Sequence, residues 1–141
     1  RLQHGLDLER VLFRDVGAAC RDHPQGVLIR LHVLGDFYSP EYVGVWEELL
    51  ATHDNLAAFG YTHRNDPACA IRQELERVQN EFSPRFTIRH SDQPFDPLSA
   101  LHETIATPEA ITCPEQIGKT RSCGTCGLCW TAAKQIKFLH H

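Results

Sequence analysis

Four of the six cysteines in this chain fall close together, spaced Cys113-x9-Cys123-x2-Cys126-x2-Cys129. Thiolates are soft ligands, and clustered thiolates take zinc or iron–sulfur groups. Structural zinc usually draws on two separated CxxC-like pairs, so that two knuckles close a tetrahedron. A tight CxxCxxC run with one remote cysteine has instead the ligand pattern of a cubane iron–sulfur cluster. In that register three thiolates wrap one face of the cluster and the fourth takes the last iron. Gly124 and Gly127 each follow a cysteine and free backbone N–H groups to point at the sulfurs, and Cys113 precedes Pro114 as in ferredoxin runs. Cys113, Cys123, Cys126 and Cys129 are therefore the expected metal ligands. A 4Fe-4S iron–sulfur cluster is the leading cofactor and zinc the alternative. Gly118-Lys119-Thr120 is not a phosphate loop, because the glycine such a loop needs five residues upstream is replaced by Cys113.

The remaining composition bounds what such a site could belong to. At 141 residues, 42% apolar and 23% charged, the chain is one globular domain's worth of sequence. The clustered cysteines make a poor disulfide framework, no export signal is seen, and no apolar run approaches the roughly 20 residues of a membrane helix. The expectation is a cytoplasmic, reduced protein without a membrane segment. The net charge of -4 is uneven: residues 113 to 141 hold Glu115 against Lys119, Arg121, Lys134 and Lys137, while residues 1 to 112 hold 17 acids against 10 basic residues. The basic segment either offsets the negative charge of a four-thiolate site or is a solvated face. The acidic remainder argues against nucleic acid as a partner.

The elements that must carry these residues repeat. A helical stripe of Leu8, Val11, Leu12, Ala19 and Cys20 spans residues 7 to 22, and the turn His23-Pro24-Gln25-Gly26 leads into a strand at 27 to 33. Ser39 is an N-cap with Pro40 at the first helical position, and that helix runs to about His53. A second strand covers 56 to 62, Asp66 caps a helix whose inner stripe is Ile71, Leu75, Val78 and Phe82, and Ser83-Pro84 ends it before a third strand at 85 to 91. Cys20 and Cys69 read as buried thiols on helix faces. Residues 98 to 107 fit a short helix or a strand, and a short helix is expected near 130 to 135. Strand starts near 27, 56 and 85 give parallel βα units, so the fold class is α/β, a partial TIM-like barrel or an open parallel sheet. Residues 1 to 141 form one domain, with the cysteine module at 113 to 141.

Working residues in such folds collect at the carboxyl ends of strands. Here those ends are polar: Arg30, His32, Gly35 and Asp36 at the first; Tyr61, Thr62, His63 and Arg64 at the second; Arg89, His90, Ser91 and Asp92 at the third. Arg30 and His32 inside VLIRLHV are costly to bury unless paired or lining a polar cavity, and Asp36 is the candidate partner. Gly35 lets the backbone turn sharply or approach a ligand closely. Taken together, Arg30, His32, Gly35, Asp36, Thr62 and Ser91 suggest a mouth for an anionic small molecule bearing a carboxylate or phosphate. The bland alternatives are a self-bonded turn aspartate and a satisfied core histidine.

The stretch RLHVLGDFYSPEYVGVW, then FGYT, then CPEQ...SCGTCGLCW...IKFLHH, resembles the gene product 88 family of phages, plasmids and their bacterial hosts. The matching positions are Arg30, His32, Gly35, Asp36 and Thr62, with Cys113, Cys123, Cys126, Cys129 and His140. Family members also carry an upstream cysteine-rich stretch that looks like a radical S-adenosylmethionine cluster site. Residues 1 to 26 contain only Cys20 and no such motif. The resemblance implies the C-terminal part of a radical-SAM-like partial barrel, with the four cysteines holding an auxiliary cluster. A zinc-stabilised interaction module without enzymatic activity is the alternative.

Overall fold

The computed structural model describes residues 6 to 139, except 33, 94, 97, 98, 104, 105, 107 and 133. Its first half is a run of α1 (Leu6–Asp22), β1 (Val27–Arg30), α2 (Pro40–Thr52), β2 (Leu56–Thr62), α3 (Ala70–Phe82) and β3 (Phe86–His90). The second half is built of short pieces: β4 (Ala100–His102), β5 (Ile111–Thr112), α4 (Cys123–Cys126), α5 (Leu128–Thr131) and β6 (Ile136–Phe138). The strands form two three-stranded sheets, ordered β1-β2-β3 and β4-β6-β5, and every pairing is parallel. Among the described residues, one bridge, from Ser91 to Ala100, joins one sheet to the other. Among the described residues these strands do not close into a barrel. No described helix is long and apolar enough to cross a membrane.

Local chemistry accounts for the helix that matters most to the fold. Ser39 Oγ accepts the Tyr42 N–H at 3.1 Å, Pro40 opens α2 and Glu41 sits in its first turn. Its inner face buries Tyr42, Val43, Trp46, Leu49 and Leu50 against the sheet, each apolar side chain contributing about 1.5–3 kcal/mol. Leu31, Leu56, Ala58, Phe86 and Ile88 supply the sheet side of this core, and Val16 and Cys20 of α1 close it.

Three expectations are corrected here. The α1 stripe is rotated: Leu8, Leu12, Phe13, Val16 and Cys20 face the core, and Val11 is exposed. α3 starts at Ala70 with Cys69 as its N-cap, because Asp66 is spent on its own turn, accepting the Ala68 N–H on Oδ1 and the Cys69 N–H on its carbonyl. The short helix expected near 130 to 135 lies instead at Leu128–Thr131. Of the ambiguous stretch 98 to 107, residues 100 to 102 form β4, while residues 98, 104, 105 and 107 fall outside the described residues.

Candidate metal centre

β2 has two inward faces. Strand alternation sends Leu56 and Ala58 to the helical core and Phe59 and Tyr61 to the opposite side. The ladder sets Arg30 of β1 beside Phe59, and Arg89 of β3 beside Tyr61, on that opposite side. The cysteine segment covers it. Phe59, Cys113, Cys129 and Ile136 form a second buried cluster, with Tyr61, Cys123, Leu128, Trp130 and Phe138 packed around it. The Trp130 ring lies 4.5 Å from that of Phe59.

Three devices deliver the four thiols. Cys113 follows β5 and is fixed by its N–H to the Lys137 carbonyl at 2.8 Å. Cys123 and Cys126 begin and end α4, a single turn closed by a reciprocal cap between Ser122 and Thr125. Gly127 then takes φ +71, a left-handed conformation that suits glycine, and turns the chain into α5, which carries Cys129. The Gly127 N–H is committed to the Cys123 carbonyl at 3.0 Å, so it closes the helix rather than facing a sulfur. All six cysteines are free thiols; Cys113 and Cys129 are buried, Cys123 and Cys126 half-buried.

The four clustered thiols line one apolar cavity of about 10 Å³ together with Pro114, Leu128 and Ile136. That is room for about one water-sized sphere. No group of three or more His, Cys, Asp or Glu side chains among the described residues is arranged to hold a metal ion. The sulfurs therefore share a cavity without closing into the tetrahedron of a single ion, in which they would stand about 3.8 Å apart.

Polar groups of the sheet face these thiols. Tyr61 donates its hydroxyl to Cys129 Sγ at 2.6 Å. Arg30 reaches Cys123 Sγ at 3.7 Å and lies over the Tyr61 ring. Arg89 is only 2% exposed, and its guanidinium donates to the carbonyls of Leu128, Cys129, Ala132 and Lys134. Burial raises the Cys129 thiol pKa, while the Tyr61 hydroxyl and Arg89 pull it down. Tyr61 is itself pushed well above a normal phenol, first by burial and then by its bond to Cys129. Burial also lowers the Arg89 pKa, countered by Cys129, Tyr61 and Asp96. The donor set is that of a thiolate site: four cysteines around an apolar pocket, with the Arg30 guanidinium and the Tyr61 phenol at the sulfurs and Arg89 holding the backbone that carries Cys129.

The expected strand-end residues do not converge. β1 is an edge strand that ends at Arg30, so Arg30 is exposed and needs no buried counter-ion. His32 takes φ +49, which breaks the alternation that would have set it on Arg30's face. It packs edge-on to Phe37 and its Nε2 lies 3.0 Å from the Tyr42 hydroxyl. Gly35 takes φ +91 and a Cβ there would meet nothing within 4 Å, so its use is conformational. Asp36 does not pair with Arg30. It accepts from the Phe37 N–H, the Thr62 hydroxyl and the His63 N–H, tying the β1–α2 loop to the end of β2. Thr62 is opposite His90 in the ladder, so Thr62 and Ser91 point to opposite faces. His140 lies outside the described residues.

Tyr61 and Arg89 are the neighbours of the thiols that residue types alone assign to a ligand mouth. The signal that finds them is parity, since Phe59, Tyr61 and Arg89 share the face that α2 and α3 leave uncovered.

A sequence profile of the gene product 88 family matches residues 7–83, from the start of α1 to the end of α3. The chain belongs to the gene product 88 family. Two curated relatives are both called Gene 88 protein. That of Mycobacterium phage D29 is 28% identical over 134 residues, covering 79% of this chain and 54% of the relative. That of Mycobacterium phage L5 is 26% identical over 128 residues, with the same coverage of 79% and 54%. The chain thus spans about half the length of the gene product 88 relatives it matches. No solved structure matches it.

Proposed function

We propose that Cys113, Cys123, Cys126 and Cys129 bind an iron–sulfur cluster of the 4Fe-4S type. The observation that carries this reading is that the four cysteines line one apolar cavity, with the Tyr61 hydroxyl on Cys129 Sγ and the Arg30 guanidinium at Cys123 Sγ. Such a cluster supplies one-electron transfer when bound. The chain's own residues then have defined tasks. Tyr61 donates a hydrogen bond to the Cys129 sulfur, Arg30 places positive charge beside Cys123, and Trp130 with Phe59 keeps water from the buried side. Hydrogen bonds and charge at the sulfurs are the levers by which a protein tunes such a centre. By the resemblance drawn above, the whole gene product 88 protein is radical-SAM-like and this centre is auxiliary.

The tightness of the cavity, about 10 Å³, favours zinc as a second reading, in a structural module without redox chemistry. Strictly anaerobic purification separates the two. Brown protein with iron and sulfide in equal amounts and visible absorption bleached by dithionite supports the cluster. Stoichiometric zinc without iron supports the module. If neither metal is retained and Cys126→Ser leaves amide exchange of residues 113 to 139 unchanged, both readings fail, because metal binding in such a segment is folding free energy.

A further inference from the structure

A second cavity opens at the carboxyl ends of β2, β3 and β4. It measures about 260 Å³ and is lined by Tyr61, His63, Ser91, Asp92, His102 and Phe138 among others. Its floor is aromatic and aliphatic: the Tyr61 and Phe138 rings meet edge to face at 5.8 Å, and Leu101 lies alongside. The polar groups stand at the rim. Asp92 takes φ +58, a left-handed conformation uncommon outside glycine and tolerated best by Asp and Asn. Residues held this way persist where surrounding bonds enforce them, and here the Asp92 N–H donates to the Ala100 carbonyl at 2.9 Å. One carboxylate oxygen accepts the His102 N–H at 3.2 Å. The other has His63 Nε2 at 3.7 Å, beyond hydrogen-bond distance, and nothing nearer among the described residues.

The cavity therefore pairs an apolar floor with one carboxylate whose outer oxygen is available to a ligand. An anion is disfavoured there by Asp92. A flat molecule with a cationic head satisfies both surfaces, and the volume suits a single ring. We propose that this cleft binds a small planar molecule bearing an amidine, guanidine or amine group. Its ring lies against Tyr61 and Phe138 and its cation on Asp92. Tyr61 serves two sites at once, because its ring lines the cleft while its hydroxyl reaches Cys129. An occupant thus sits one side chain away from the thiols. The inference holds whatever those thiols carry.

Benzamidine and benzoate share a ring and differ in the sign of the head group, so they are the probes. Calorimetric titration of the 141-residue chain should give benzamidine at least a tenfold lower Kd than benzoate. The backbone amides of Ser91, Asp92 and His102 should shift with saturation in heteronuclear NMR. Asp92→Asn keeps an acceptor for His102 and suits the left-handed backbone, so it should fold and weaken benzamidine about tenfold. Equal binding of the two probes, no saturable binding, or shifts centred on the exposed Leu34 or Phe95 overturns the proposal. So does an Asp92→Asn variant with undiminished affinity. If that variant fails to fold, the comparison of probes on the wild-type chain still decides.

Discussion

Replacing Arg89 by Met is the sharpest test of how the cysteine module is attached. Met keeps the unbranched stem of the side chain as far as Nε and removes its charge and donors. In the native protein the guanidinium serves four carbonyls of the module. The Leu128 carbonyl also holds the Ala132 N–H, and Lys134 is exposed, so its carbonyl can turn to water. The carbonyls of Cys129 and Ala132 are left behind. Stranding a buried acceptor costs about 1–3 kcal/mol, and losing charge-assisted bonds adds to it, while relief from burying a guanidinium subtracts. A net loss of about 3 kcal/mol is expected, confined to the module because the helical core contains none of its residues. The assay joins urea unfolding to the rate at which Cys113 and Cys129 react with a thiol reagent under native conditions. Both thiols should become reactive while far-UV circular dichroism retains the α1–β3 signal. Arg89→Lys, with charge but one ammonium for four acceptors, should fall between. A loss under about 1 kcal/mol with thiol rates unchanged would refute the reasoning.

Two further outcomes follow from groups away from the thiols. Asp36→Ala removes acceptors for the Thr62 hydroxyl and for two backbone N–H groups, so stability measured by denaturant midpoint should drop about 2–3 kcal/mol, whereas Asp36→Asn should lose less. Burial holds the His32 pKa below its ordinary value, and burial followed by the Arg72 charge does the same for His90. The unfolded chain then binds more protons than the folded one. The stabilisation is complete above the unfolded value near pH 6.5 and lost as pH falls, by up to about 1.4 kcal/mol per pH unit for each group. The melting temperature should fall between about pH 7.5 and 5.5, and His32→Gln should flatten that fall.

The parts legible in the sequence were those set by neighbours in the chain. Ser39 and Pro40 specify the start of α2 through bonds spanning three residues, and β2 has the expected bounds, Leu56–Thr62. The parts that were not legible depend on long-range partners or on single dihedral angles. Asp36 finds Thr62 and His63 across 26 and 27 residues, so its nearest cationic neighbour in the chain, Arg30, was the wrong partner. The positive φ of His32 turns the expected extended run at 27 to 33 into a strand end and a half-buried imidazole, and no residue type announces it. The four thiols stood out by spacing alone. Their sheet-side company did not, because Tyr61 and Arg89 are assigned by which face the helices leave open.

β2 has an evolutionary consequence beyond its place in the sheet. Its seven residues are all buried or half-buried, both its edges are paired, and a Cβ at Gly60 would stand 3.0 Å from the Leu31 Cβ. A saturation library should find no permissive column there, in contrast to edge strand β1. A one-residue insertion would exchange the two sets of side chains, sending aromatic rings toward the helices and Ala58 toward the thiols. The two sets answer to different constraints. In family members that have lost the cysteines, Phe59 and Tyr61 should drift together toward polar residues, while Leu56, Ala58 and Gly60 stay as they are.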